Sequence, residues 1–383
     1  MDNQQHRRIV ICGGGVIGVC TAYFLSKRGV SVTLIEKSSI ACAASGKAAG
    51  FLALDWADGG PLSSLTRASF NLHRSLAQDL NGAELYWYRA VTTLSLTVTE
   101  SKNQNQSPEN IPSWIDGPVR SLKTKGTTET TAQVHPKMFT ETVLAKAVAD
   151  YGVEVVIGKV ERVEVAAVED GGRAEAVVLE GGRMINCDGV VLALGPWSGK
   201  FEMLSELFRV YGIKAHSVVM EPKEKDLLTA HVLCLSNYGS GSSGGGKSMD
   251  PEIHPRSSGE VYVVGKLSEE EVPENPKEIV GDPESIRYLK RAAGTVSSHL
   301  TEGKAEVKAE QACFIPCTDD DIPIIGEVPG VKGCYVATGH GGWGILNGPA
   351  TGAAMSELVL DGKSTIVDLS KFTPARFLDR RNQ

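Results

Sequence analysis

Three glycines near the N-terminus carry the clearest chemical signal in this sequence. Gly13, Gly15 and Gly18 fall in the pattern G-x-G-x-x-G, with Val16 and Ile17 inside it. Glu36 follows 23 positions after Gly13, near the spacing of about 20 expected for a dinucleotide fingerprint. Gly13 permits a tight turn, Gly15 lets backbone approach a pyrophosphate, and Gly18 lets a helix pack closely on a strand. The helix N-terminus then faces the phosphate charge. Glu36 would accept hydrogen bonds from ribose hydroxyls and disfavour a 2′-phosphate. The fingerprint alone leaves NAD and FAD both open.

The other reactive residues form no comparable pattern. Eight cysteines, at 12, 20, 42, 187, 234, 313, 317 and 334, lack Cys-x-x-Cys spacing. Reduced thiols in a cytoplasmic compartment are therefore expected, without a disulfide framework or bound metal.

The elements that must hold the fingerprint are legible. Residues 8–12 read as a buried parallel strand, 16–28 as a helix ending at Gly29, and 30–35 as a second strand. Residues 38–60 turn to Ala, Ser and Gly, as for a loop close to a ligand. Helices are predicted over 61–80, 136–150, 283–299 and from Pro349 to about 360. Strands are predicted over 86–98, 153–157, 160–165, 174–179, 189–194, 213–220, 260–264 and 335–338. Polar stretches at 100–110 and 239–247 read as surface loops.

Bulk properties narrow the function. A chain of 383 residues suggests two lobes. Net charge −7 gives no general attraction to nucleic acid or anionic lipid. No apolar run approaches the roughly 18 residues of a membrane span. Only seven residues precede the first strand, too few for a secretory leader, so a cytoplasmic location is expected.

The runs ASGKAAGFL at 44–52, ALGPWS at 193–198, FIPCTDDDIPIIG at 314–326 and ATGHGGWGILNGPATG at 337–352 resemble the D-amino-acid oxidase and sarcosine oxidase superfamily of flavoproteins. The resemblance implies an α/β fold with a Rossmann-like, glutathione-reductase-type FAD domain and an α+β substrate domain on a mostly antiparallel sheet. The FAD domain would comprise 1–85, 136–200 and 305–383, and the substrate domain 86–135 and 201–304. FAD contacts are implied for Gly13, Gly15, Val16, Ile17, Gly18, Glu36, Lys37, Ser45, Gly46, Lys47, Val160, Gly195 and Trp197. Gly341, Gly342, Gly344 and Ile345 would pass beside the flavin ring. By the same resemblance Cys313 stands where some members tether the flavin, although Asp319 replaces the family proline; alternatively it is a small buried residue.

The family moves a hydride from an amine-bearing carbon to flavin N5, commonly with O2 as acceptor and H2O2 as product. His340 and Trp343 are implied at the flavin edge; Trp56 either walls the substrate pocket or belongs to the core. The lysine expected after the Gly-His-Gly turn is replaced by Gly342-Trp343-Gly344, and the arginine expected after the serine-rich element by Phe51-Leu52. These departures count against sarcosine as substrate. Lys266 is the preferred substitute cation, beside Lys47, Arg67 and Arg89. The leading reading is an amine or amino-acid oxidase. The alternatives are a flavin dehydrogenase with another electron acceptor, and a flavoprotein kept for binding with its pocket lapsed.

Overall fold

The structure is a computed structural model describing residues 7–98, 111–168, 171–236, 238 and 249–378. Both polar stretches, 100–110 and 239–247, lie outside the described residues.

Two sheets define the architecture. A six-stranded sheet runs in the order Ile324–Glu327, Cys334–Thr338, Gly189–Leu192, Arg8–Cys12, Ser31–Glu36, Glu154–Ile157. Five of its strands are parallel, and Ile324–Glu327 pairs antiparallel at the edge. Ile9, Val10, Ile11 and Cys12 are all buried, as expected for a strand covered on both faces. A three-stranded meander over 160–186, joined by Val331–Lys332 as a fourth strand, lies beside it.

The second large sheet has seven strands: Ala305–Thr318, Val210–Pro222, Val261–Glu269, Glu252–Pro255, His231–Leu235, Thr92–Val98 and Val119–Gly126. It is antiparallel except where His231–Leu235 meets Thr92–Val98. Side chains alternate across it. Ile253, Val261, Val263 and Val218 pack under the helix Pro283–Val296 through Leu289 and Ala293. Glu252, His254, Tyr262 and Val264 occupy the opposite face, which looks back toward the parallel sheet. The expected boundary at residue 305 falls inside this sheet, because Ala305–Thr318 pairs along the length of Val210–Pro222.

Other expectations shift for local reasons. The strand expected over 86–98 is broken: Trp87 takes a positive φ of 57°, and Arg89–Ala90 joins a separate three-stranded sheet with Thr131–Gln133 and Phe51–Ala53. The C-terminal helix spans Gly344–Asp361 and so begins five residues before Pro349. Proline has no N–H to offer the carbonyl four residues back, which usually breaks a helix. Here His73 Nε2 lies 2.9 Å from that carbonyl, on Ile345, and Ser69 Oγ accepts the Ala350 N–H at 3.0 Å. Both repairs come from one helix, Ser63–Asp79.

The helices Val16–Lys27 and Gly344–Asp361 cross at glycine distance. Gly344, Gly348 and Gly352 recur every four residues and so share one helix face. A Cβ on Gly352 would stand 2.5 Å from the Cys20 carbonyl carbon, and one on Gly348 2.9 Å from Val16 Cγ2. Gly to Ala inside a helix normally stabilises by about 1 kcal/mol. At Gly352 the sign is expected to reverse, with a loss of about 1–3 kcal/mol from overpacking, read by urea denaturation. A gain in stability would show that the helices do not touch there.

Candidate active site

A cavity of about 750 Å³ lies between the two large sheets, within the range of cofactor-sized pockets. One end is built by the fingerprint. Gly13 adopts φ +118°, and a Cβ there would fall 2.2 Å from the Ala193 carbonyl oxygen. Gly13, Gly15, Val16 and Ile17 line the cavity, and the Val16 N–H donates to Ser45 Oγ at 2.9 Å. Glu36 lines it too, its carboxylate fixed by the N–H groups of Gly14 and Ser38, each at 2.8 Å. Val160 borders this end. Gly195 also lines the cavity, and its carbonyl is held by the Thr338 hydroxyl at 3.1 Å.

Gly18 and Gly46 stand behind the wall and serve packing. A Cβ on either would come within 2.0 Å of a carbonyl oxygen, that of Gly13 or of Ala41. Lys47 also sits off the lining, its ammonium on the Ala312 carbonyl at 3.0 Å while its own carbonyl accepts from Tyr262 at 2.7 Å. The short helix Ala44–Lys47 is thereby pinned to the antiparallel sheet.

A strap, residues 270–276, crosses the same end. Trp197 donates its indole N–H to the Pro273 carbonyl at 2.8 Å. Glu274 receives Lys37 at 2.9 Å and Lys159 at 3.0 Å, which pull its carboxyl down to about 2. Lys200 reaches Glu271 at 3.1 Å. Lys37 and Trp197 border the cavity, but their polar heads hold the strap.

The middle of the cavity is walled by His340, Gly341, Gly342, Trp343, Gly344 and Ile345. The helix Gly344–Asp361 starts here, so its positive N-terminal end opens on the cavity. His340 is buried and lies 3.0 Å from Thr351 Oγ1. Burial pushes it down to about 3, so it is neutral near pH 7. Opposite, Cys313 lines the cavity, its thiol pushed up to about 11 by burial, against the opposing pull of Lys47.

The far end belongs to the antiparallel sheet and to Phe51. Sequence reasoning missed Phe51, Met249, Glu252 and Tyr262 on this wall. The alternation in EVYVVG places Tyr262 and Val264 on one face, and that was the available signal. Lys266, expected from its place just after that run to be the substitute cation, does not line the cavity. The pairing register slips between Ala215 and His216, leaving Lys266 bulged with φ 52°. Its ammonium lies over the Tyr288 ring at 4.5 Å, away from the cavity. Arg67 is bound to Asp58. Arg89 donates to the Pro255 carbonyl and, at 3.4 Å, to Gln133 Oε1. Trp56 packs on Phe51 and Trp343 at 5.0 and 6.1 Å between centroids.

A glycine turn and a second helix N-terminus facing one cleft, under an antiparallel sheet, are the architecture of a dinucleotide-binding protein. Residues 8–358 match the sequence profile of FAD dependent oxidoreductases, and the chain belongs to that family, DAO. A Schizosaccharomyces pombe protein described as an oxidoreductase is 31% identical, across 97% of this chain and 99% of its own. A glycine oxidase from Geobacillus kaustophilus is 26% identical, covering 97% of each chain. The solved structure of glycine oxidase from the same organism superposes with a TM-score of 0.78 at 22% identity, covering 97% of this chain and 99% of that one. The glycine cradle, the fixed Glu36 and the volume of the cavity fit FAD. Among the described residues no helix is long and apolar enough to cross a membrane.

Two outcomes follow from this geometry. Glu274→Gln is expected to speed flavin loss roughly threefold and to flatten its dependence on salt, since it removes two exposed ion pairs; flavin release unchanged by the substitution would mean that the strap does not retain cofactor. Burial also holds His73 and His135 at about 4 and His340 at about 3, from an ordinary 6.5. Folded values below the unfolded one mean that the unfolded chain takes up protons first as pH falls. Stability is complete above pH 6.5 and is lost on acidification toward pH 4. Urea unfolding at pH 7 and pH 5 should show the lower midpoint at pH 5; equal midpoints would contradict neutral buried imidazoles.

Proposed function

We propose that this protein oxidises the C–N bond of an amine, with O2 taking the electrons and H2O2 as product. The observation that carries the reading is the single cavity joining the fingerprint, the Gly341–Ile345 wall and the face bearing Glu252 and Tyr262. Bound FAD would supply a two-electron acceptor that takes hydride from the substrate carbon. The name of the Geobacillus relative, glycine oxidase, supports a C–N substrate.

The chain's own part is positioning. Gly13 to Ile17 receive the pyrophosphate, Glu36 the ribose, and the start of Gly344–Asp361 offers backbone N–H groups to negative charge on the flavin pyrimidine. Neutral His340 holds that turn through Thr351 without adding a charge. The aromatic wall of Phe51, Tyr262 and Trp343 shields the reacting carbon from water, while the strap closes the dinucleotide end. With its thiol held protonated by burial, Cys313 is a weak nucleophile, so flavin held without a covalent bond is the expected state. A cytoplasmic setting suits the unpatterned cysteines.

Two measurements on purified protein test the proposal. Anaerobic mixing with a panel of amines and amino acids should bleach the flavin, and admitting O2 should restore colour and release peroxide. A flavin that no amine or amino acid reduces would refute the oxidase reading, and bleaching without peroxide would move the electrons to another acceptor. Acid precipitation should leave yellow colour in the supernatant; colour carried down with the chain would establish attachment and direct attention to Cys313.

A further inference from the structure

The substrate end of the cavity has an unusual charge balance. Among the described residues, the lysines lining the cavity are Lys37, Lys159 and Lys200, and each is paired with Glu274 or Glu271 of the strap. Four further cations lie nearby, none of them on the lining. Lys47 and Arg89 are engaged by backbone carbonyls. Arg256 and Lys125 stack over Tyr262 and Trp56, at 5.1 and 4.8 Å from the ring centroids.

The carboxylate at this end is Glu252, whose side chain keeps 28% exposure where it meets the cavity. Its Oε2 lies 3.0 Å from Nε2 of His254. His254 is fully buried, and its Nδ1 has no hydrogen-bond partner among the described residues. Rings continue from there in an unbroken chain. His254 is 6.1 Å from Tyr262 and 5.9 Å from Phe51, and Phe51 is 6.5 Å from Trp343.

We infer that the substrate is a cationic amine without an α-carboxylate, its ammonium balanced by Glu252 and enclosed by Phe51, Tyr262 and Trp343. A substrate carboxylate entering this end would meet Glu252 and, among the described residues, no lining cation, and a buried unpaired anion is strongly disfavoured. An ammonium meets a carboxylate and the negative faces of aromatic rings, an arrangement that recognises alkylated ammonium groups. The inference rests on the flavin reading of the cleft and deepens it by naming the substrate class.

The test uses flavin-loaded protein and two ions that cannot be oxidised there, tetramethylammonium and acetate, each titrated while the flavin spectrum is followed. Tetramethylammonium should perturb the spectrum at concentrations at least roughly tenfold lower than acetate. Glu252→Gln should weaken tetramethylammonium about tenfold at unchanged flavin content, and Glu252→Asp should retain most of the binding. Acetate binding more tightly, or neither ion perturbing the flavin, overturns the inference, and this wild-type comparison stands even if a variant fails to fold. The two readings fail separately. Faster oxidation of sarcosine than of N-methylethylamine sinks the cationic-amine site and leaves the oxidase. Glu252-dependent tetramethylammonium binding to a protein inert toward every amine does the reverse.

Discussion

Two helices packed at glycine distance organise this molecule. Val16–Lys27 and Gly344–Asp361 approach so closely that a Cβ on Gly352 would enter the backbone of Cys20. Because both helices start at the cavity, this contact brings two positive helix ends to one cleft. In the proposed complex one end would serve the pyrophosphate of FAD, and the other the opposite end of the same ligand. The arrangement requires the second helix to begin at Gly344, which Pro349 alone would discourage. Ser69 and His73, from a third helix, supply the missing hydrogen-bond partners. His73 makes this contact as a neutral group inside the core, so the C-terminal helix is tied to a residue 272 positions upstream.

The antiparallel sheet completes the site by a simple division of labour. Strand periodicity sends Ile253, Val261 and Val263 into a core under the helix Pro283–Val296, and their neighbours Glu252, Tyr262 and Val264 into the cleft. The first set stabilises the lobe, and the second is free to define the ligand. Charge is divided as well. Lysines gather at the dinucleotide end and are held by the strap, leaving aromatic rings and Glu252 at the other end.

The dinucleotide half of this arrangement was legible in the sequence because its constraints are local. Gly13, Gly15, Gly18 and Glu36 act within one strand–turn–helix–strand unit, so spacing alone exposes them. The cavity-lining turn at 341–345 was legible by resemblance. The start of its helix was not, because the repair of Pro349 depends on Ser69 and His73, about 280 residues away in sequence. The substrate wall was the least legible. Its residues come from strands brought together only by pairing register, and Lys266 shows the difficulty. It follows an alternating run, yet a single bulge turns it over Tyr288 and away from the cleft.

One FAD bound as proposed would lie in this cleft between both helix N-termini and the Glu252–Tyr262 face. Amide hydrogen exchange compared between flavin-loaded and flavin-stripped protein measures this directly. Bound flavin is expected to protect amides at 13–17, at 341–345 and along 252–264, with little change under the helix Pro283–Val296. Protection confined to other segments, or a chain that takes up no FAD while folded, would contradict it.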